Sequence, residues 1–198
     1  REYFKLEIIA SAAFAAVRRS AASKSGANTV ANMGVDRFRQ GMRQVAGAVT
    51  VVTTCGPNGE RRGVTATAGC SLSAEPPSLI ACVNRTSWVA QFAPASGVFA
   101  VNVLAADQEA IARTFAGQTG LVGEDRFQVG AWREGMTGAP LVGNCLAAFD
   151  CRLGQAVEHA SHLILIGHVA ETILGAADGA SLVYVNGAFT TVMASAAG

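Results

Sequence analysis

The sequence predicts a mainly β fold with short helices, an antiparallel sheet or barrel, preceded by an N-terminal helical extension. Short β-branched and apolar runs recur along most of the chain, turn chemistry separates them, and few segments between them have helical periodicity. Such a pattern lacks the strand–helix alternation of a doubly wound α/β fold. With 51% hydrophobic and 15% charged residues among 198, the chain has the apolar content to bury a core, and disorder is excluded.

Taken in order, residues 1–25 are alanine-rich and carry Phe4, Ile8, Ile9, Phe14 and Val17, a composition suited to a helix with a broad apolar face. The apolar stretch Ile8–Val17 is far short of the roughly 20 residues that cross a bilayer. Glu7 at its edge and Arg18-Arg19 behind it have the wrong polarity for export, so a cytoplasmic protein is expected. Residues 20–34, rich in Ser, Ala, Asn and Gly, read as a linker, dividing the chain into an extension (1–34) and a domain (35–198). An ordered apolar helix must bury its face, and docking on a neighbouring subunit as an assembly element is the expectation.

From Val35 a short helix with Phe38, Met42 and Val45 on one face stops at Gly47. Val49–Thr54 is β-branched, Gly56-Pro57-Asn58-Gly59 is turn chemistry, and Gly63–Thr67 returns, which predicts a hairpin. Further strands are predicted at Ser78–Asn84, Val98–Leu104, Cys145–Val157, Leu163–Glu171, Ser181–Val185 and Ala188–Val192, and helices at Ser87–Phe92 and Asp107–Phe115.

Charge excludes several functions. Residues 35–198 hold ten Arg against twelve Asp and Glu and no Lys, so no basic stripe is present for nucleic acid, and Walker, Schiff-base and general-base lysines are all ruled out. No G-x-G-x-x-G or G-x-S-x-G occurs. Five cysteines without a C-x-x-C pair read as small apolar residues in a reducing compartment. His159-x-x-His162 has metal-like spacing, but on a single strand these positions point to opposite faces, and no metal site is expected.

What remains is Gly63–Pro77, rich in small residues and hydroxyls. Small side chains let a flat ring lie against the backbone, and a tightly paired strand entering a proline turn would need the same residues. In order along the chain, Val49–Thr54, Gly63-Val64-Thr65-Ala66, Ser71-Leu72-Ser73-x-x-Pro76-Pro77, Val83-Asn84-Arg85-x-Ser87, Phe99–Leu104, Phe115-Ala116-Gly117, Asp125-Arg126-Phe127 and Leu182-Val183-Tyr184 resemble the short-chain NAD(P)H:flavin oxidoreductase family, over about residues 35–193. The resemblance implies a split β-barrel, a Greek-key antiparallel barrel that binds FMN, usually as a homodimer with the flavin groove near the interface.

Carried over by residue, the resemblance implies that Thr65, Ala66, Thr67, Ala68, Gly69, Cys70 and Ser71 line the isoalloxazine ring, largely through backbone groups. Asn84, Arg85 and Ser87 would hold the ribityl–phosphate tail, a Ser opening a helix being a sound phosphate cradle. Asn102, Phe115, Ala116 and Gly117 would complete that end, whereas for Arg126 a structural ion pair is favoured over a role in the site. Where the family often has Gly-Asp-His, this chain has Ala160-Ser161-His162, so only His162 is left to contact nicotinamide as the catalytic candidate; a strand-start histidine bonded to backbone is the alternative. A late tyrosine of many relatives is Phe189 here, which keeps stacking and loses a hydroxyl.

The implied function is reduction of FMN or FAD by NADH or NADPH, supplying reduced flavin to a two-component monooxygenase or another acceptor. Hydride transfer needs no general base, in keeping with a domain that lacks lysines, triads and metal clusters. Two alternatives stay open: bound flavin that reduces a bulky acceptor such as a corrinoid, and a flavin-binding barrel without catalysis. No nucleic acid or membrane partner is expected.

Overall fold

The computed structural model describes residues 27–175 and 179–193. The helix and docking element expected over residues 1–25 lie outside these. The first described helix, α1, runs Ala27–Arg43, so helix already occupies the end of the segment read as linker. Its apolar side chains Val35, Phe38 and Met42 are exposed.

Among the described residues, twelve strands follow in three antiparallel sheets. β1 (Gly47–Ala48), β11 (Ser181–Val185) and β12 (Ala188–Val192) form a small one, and β7 (Trp132–Glu134) with β8 (Pro140–Val142) a two-stranded one. The main sheet has seven strands: β2 (Thr50–Cys55), β3 (Arg61–Ala66), β4 (Gly69–Ala74), β5 (Pro77–Asn84), β6 (Val98–Val103), β9 (Ala147–His159) and β10 (His162–Leu174). Their spatial order is β3-β2-β6-β9-β10-β5-β4.

That order dictates the shape. β3 and β4 occupy opposite edges, yet only Thr67 and Ala68 connect them. Seven strands laid flat would put the edges roughly 29 Å apart. Three Cα–Cα steps reach at most about 11 Å. The sheet therefore curls until its edges approach, and β3 packs against β5 without joining the ladder. The result is a barrel split along one seam, with Thr67-Ala68 crossing it.

Core residues fill the curl from two sides. Val49, Val51, Ala100, Leu104, Ile111, Phe115, Leu141 and Leu182 make one cluster, and Val52, Leu79, Ala81, Val83, Val89, Phe99, Leu163 and Leu165 the other. Gly63 is required where β3 passes Phe115, since a Cβ there would lie 2.6 Å from the ring. Helix α2 (Trp88–Ser96) starts at the Ser87 cap and ends at Gly97, whose φ of 73° suits glycine. Helix α3 (Glu109–Phe115) covers the Thr65 end of β3.

The predicted strands are present, with differences. β9 and β10 extend to His159 and back to His162, longer at the turn than expected. β4 is paired to β5, although its Gly-Cys-Ser-Leu-Ser-Ala sequence has little strand propensity. β1, β7 and β8 are two or three residues long and exist through tertiary pairing.

Candidate active site

The seam exposes the residues expected to face a flat ring. Thr67, Ala68, Gly69, Cys70 and Ser71 are all exposed, and Ala66 is half-buried. Beyond Ala68, which accepts a 2.8 Å hydrogen bond from the Cys82 amide, β4 is an edge strand with one row of backbone groups unpaired by the sheet. At Gly69 a Cβ would stand 3.2 Å from the Ile80 carbonyl, so the backbone runs closer here than a side chain easily permits. Thr65 behaves differently: its side chain is buried and its Oγ1 donates to the Ala112 carbonyl at 2.7 Å, leaving only backbone to a ligand.

The expected tail residues are also brought together, at the end of β5. Asn84 Oδ1 accepts from the Thr86 amide and Oγ1, both at 2.9 Å, while the Ser87 amide donates to the Asn84 carbonyl at 2.9 Å. Ser87 Oγ accepts from the Ala90 amide at 3.2 Å and caps α2. This leaves the Trp88 and Val89 amides, which helix geometry provides with no partner inside the helix, pointing out of its positive end. Two open amides, a hydroxyl and an adjacent shelf of small residues fit a phosphorylated planar ligand. Arg85 is not a free surface charge: Nη2 pairs with Glu158 at 2.8 Å and Nη1 donates to the Ala160 carbonyl at 3.3 Å.

Other expectations need correction. Asn102 is fully buried, and its side chain is committed inside the fold, Nδ2 donating to the Val51 carbonyl at 3.0 Å and Thr53 Oγ1 at 3.2 Å, Oδ1 accepting from the Val142 amide at 3.0 Å. Phe115 and Ala116 are buried; the Phe115 ring packs against Phe127 and Trp132 at centroid distances of 5.0 and 5.1 Å, and Gly117 takes a φ of 69° in the turn that follows. Their side chains build the wall and do not reach the shelf. Arg126 donates from Nε to the Leu121 carbonyl and forms no ion pair among the described residues. Phe189 does stack, edge-on to Tyr184, with the Arg113 guanidinium over its ring.

His159 and His162 are direct partners across the β9–β10 hairpin, whose Ala160-Ser161 turn folds the chain back. Cross-strand partners share a face, so the two rings lie on the same side, contrary to the single-strand argument. His162 also pairs with Asn84, which places it on the strand next to the tail residues, and its Nδ1 lies 2.9 Å from Ser161 Oγ. Among the described residues no group of three metal-ligating side chains occurs.

The cysteines are not uniformly buried. Cys145 and Cys151 are, Cys55 and Cys82 are half-buried, and Cys70 is exposed on the shelf. Burial pushes the Cys151 thiol up to about 12, with the neighbouring Asp150 carboxylate adding to it, and desolvation also raises Cys55, Cys82 and Cys145. One residue beside the site was not anticipated. Trp88, immediately after the cap, is exposed, and an aromatic in that position was the available signal.

Residues 42–193 match the family model described as flavin reductase like domain. The chain is 41% identical over 147 residues to the FMN reductase (NADH) RutF of Ancylobacter novellus, covering 74% of this chain and 80% of that one. It is 40% identical over 152 residues to the 4-hydroxyphenylacetate 3-monooxygenase reductase component of Pseudomonas aeruginosa, covering 77% and 88%. Among solved structures, BorF, the flavin reductase component of a bacterial two-component tryptophan halogenase, superposes with a TM-score of 0.73 at 30% identity over 81% of this chain and 99% of that one. The Streptomyces globisporus C-1027 NADH:FAD oxidoreductase SgcE6 gives 0.71 at 32% identity over 79% and 92%. A split barrel with a small-residue shelf at its seam, matched over this length, belongs to the flavin reductase like family.

Proposed function

We propose that this flavin reductase carries hydride from NADH to a flavin held across the seam, and that the reduced flavin serves a separate oxygenase component. The observation that carries the reading is the shelf Thr67–Ser71, exposed and nearly free of large side chains, lying beside the open amides of α2. The named relatives support NADH as donor, and an oxygenase as recipient. When bound, the flavin supplies the chemistry by accepting hydride at N5 of its ring.

The chain's own residues bind and orient. Backbone amides of the shelf would hold the ring, and Asn84, Ser87 and the Trp88 and Val89 amides would hold the tail and its phosphate. His162, beside Asn84, orients the nicotinamide. Arg85, held by Glu158, keeps the β5 end and the hairpin turn together. No side chain has to gain or lose a proton, which agrees with a site lacking lysine and paired carboxylates.

The homodimer belongs to the same proposal. Register puts Ile80, Cys82, Ile164, Ile166 and Val157 in adjacent positions on the sheet face opposite the core, each half-buried or exposed, and α1 leaves Phe38 68% exposed. A second copy would cover this surface. No described helix is long and apolar enough to cross a membrane.

Adding NADH and FMN to the purified protein and following absorbance at 340 nm tests the activity. Loss of yellow colour on gel filtration is the expected sign of released flavin; retained colour with reduction of a corrinoid would favour the bound-flavin alternative. No oxidation of NADH with any flavin would leave a binding protein without catalysis. Sedimentation as a monomer at micromolar concentration would remove the dimer.

A further inference from the structure

The helix that opens beside the phosphate cradle carries an indole at its first residue. Trp88 is 56% exposed, whereas the other tryptophan, Trp132, is packed against Phe115 and Phe127. The exposed ring is nevertheless supported from behind. Phe92, one turn along α2, has its centroid 5.6 Å away, inclined at 58°. The Arg62 guanidinium carbon lies 5.8 Å from the indole centroid and 5.2 Å from that of Phe92. Arg62 is itself fixed, donating from Nη1 to the Arg61 carbonyl at 2.8 Å and standing 3.8 Å from Glu124, with its side chain only 19% exposed.

The indole is therefore held by a cation over its ring and by a tilted aromatic neighbour, while more than half of the residue stays open to solvent. Such a braced, wet aromatic surface presents a π-face without the entropy cost of ordering it on binding. An adenine ring is a flat partner of the right kind for it.

We propose that Trp88 is the stacking platform for the adenine of FAD, and that it makes this reductase bind FAD more tightly than FMN. The assignment rests on the reading above that the flavin tail ends at Ser87. FMN stops at its phosphate. FAD continues through a second phosphate and a ribose to adenine, and Trp88, the first residue of the same helix, is the exposed aromatic that directly follows Ser87. NADH also carries adenine, so the test separates the two sources.

Flavin-free full-length protein is titrated calorimetrically with FAD and with FMN, in the wild type, Trp88→Ala, Trp88→Phe and Gly69→Val. Trp88→Ala is expected to weaken FAD binding about tenfold, within the range known for base–aromatic stacking, and to move FMN binding by less than about twofold. Trp88→Phe should recover most of the loss. Equal losses for both flavins, or no loss for either, would overturn the assignment. A rise in the KM for NADH without a change in FAD affinity would give the platform to the nicotinamide dinucleotide and overturn it as well. The placement of the flavin is judged separately: if Gly69→Val leaves both affinities unchanged, that reading fails, whereas impaired Gly69→Val with an unmoved FAD-to-FMN ratio in Trp88→Ala sinks the Trp88 assignment alone.

Discussion

Replacing Asn102 with alanine separates a structural role from a ligand-binding one. The side chain ties three strands at a fully buried point: Nδ2 to β2 at Val51 and Thr53, Oδ1 to β8 at the Val142 amide, all from β6. Truncation removes these bonds, each contributing about 1 kcal/mol net, and strands the buried Val142 N–H, which costs a further 1–3 kcal/mol or so. A loss of about 4–6 kcal/mol results, a large share of the roughly 5–15 kcal/mol that holds a domain folded. At about 2–4 °C per kcal/mol for a chain of this size, Tm should drop by about 10 °C or more. Urea unfolding supplies ΔΔG, and titration below the lowered Tm supplies flavin affinity, which is expected to stay within about twofold of wild type. A stability loss under 1 kcal/mol together with a tenfold weaker flavin affinity would refute the reasoning and return Asn102 to the tail site.

Other outcomes test neighbouring parts. Gly69→Val, crowding the shelf and the Ile80 carbonyl 3.2 Å from its Cβ, should weaken flavin binding at least tenfold while circular dichroism stays native; unchanged affinity would move the flavin elsewhere. His162→Ala should raise the KM for NADH about tenfold, on the order of one lost hydrogen bond, without loss of flavin affinity, and unaltered kinetics would reduce His162 to a strand-start residue. Stability should decline at alkaline pH. Cys151 ionises near 9.0 when unfolded and only at about 12 when folded, so the folded state holds the extra proton, and stability present below pH 9 is lost as pH rises toward 12. Cys151→Ala should flatten that decline in urea titrations, and an identical slope in the variant would contradict the buried-thiol account.

Strands whose packing matches their propensity were legible in the sequence. Val49–Thr54 and Phe99–Leu104 are β-branched or apolar runs largely buried in the sheet, Leu163–Glu171 starts as an apolar run that buries alternate residues, and pattern reveals all three directly. β4 was not legible as a strand because an exposed edge gains nothing from burying large side chains, and its Gly, Cys and Ser serve the shelf. The Ser87 cap was readable from a hydroxyl before a helix, whereas the small residues of 63–77 alone fitted a tightly paired strand equally well, and only the family resemblance singled them out. Asn102 is buried with its amide bonded inside the fold, and an amide inside Phe-Ala-Val-Asn-Val-Leu has to find partners in the core, a signal the sequence already carried. Pairing of His159 with His162 depended on seeing a two-residue turn in Ala160-Ser161, where Ala160 takes a φ of 49° that its identity does not advertise.

The two-residue link across the seam governs the order in which the molecule assembles. β2–β3, β4–β5 and β9–β10 can each zip as a local hairpin on a microsecond scale. These hairpins become one sheet only when β6 joins β2 to β9, and when β10 finds β5 some 80 residues earlier in the chain, a pairing whose loop closure precedes its reward. Until that last pairing forms, β3 and β4 stay tethered by Thr67-Ala68 with no groove between them. The shelf thus exists only in the finished barrel. A ligand that binds only the finished shelf would slow unfolding and leave the rate of refolding unchanged.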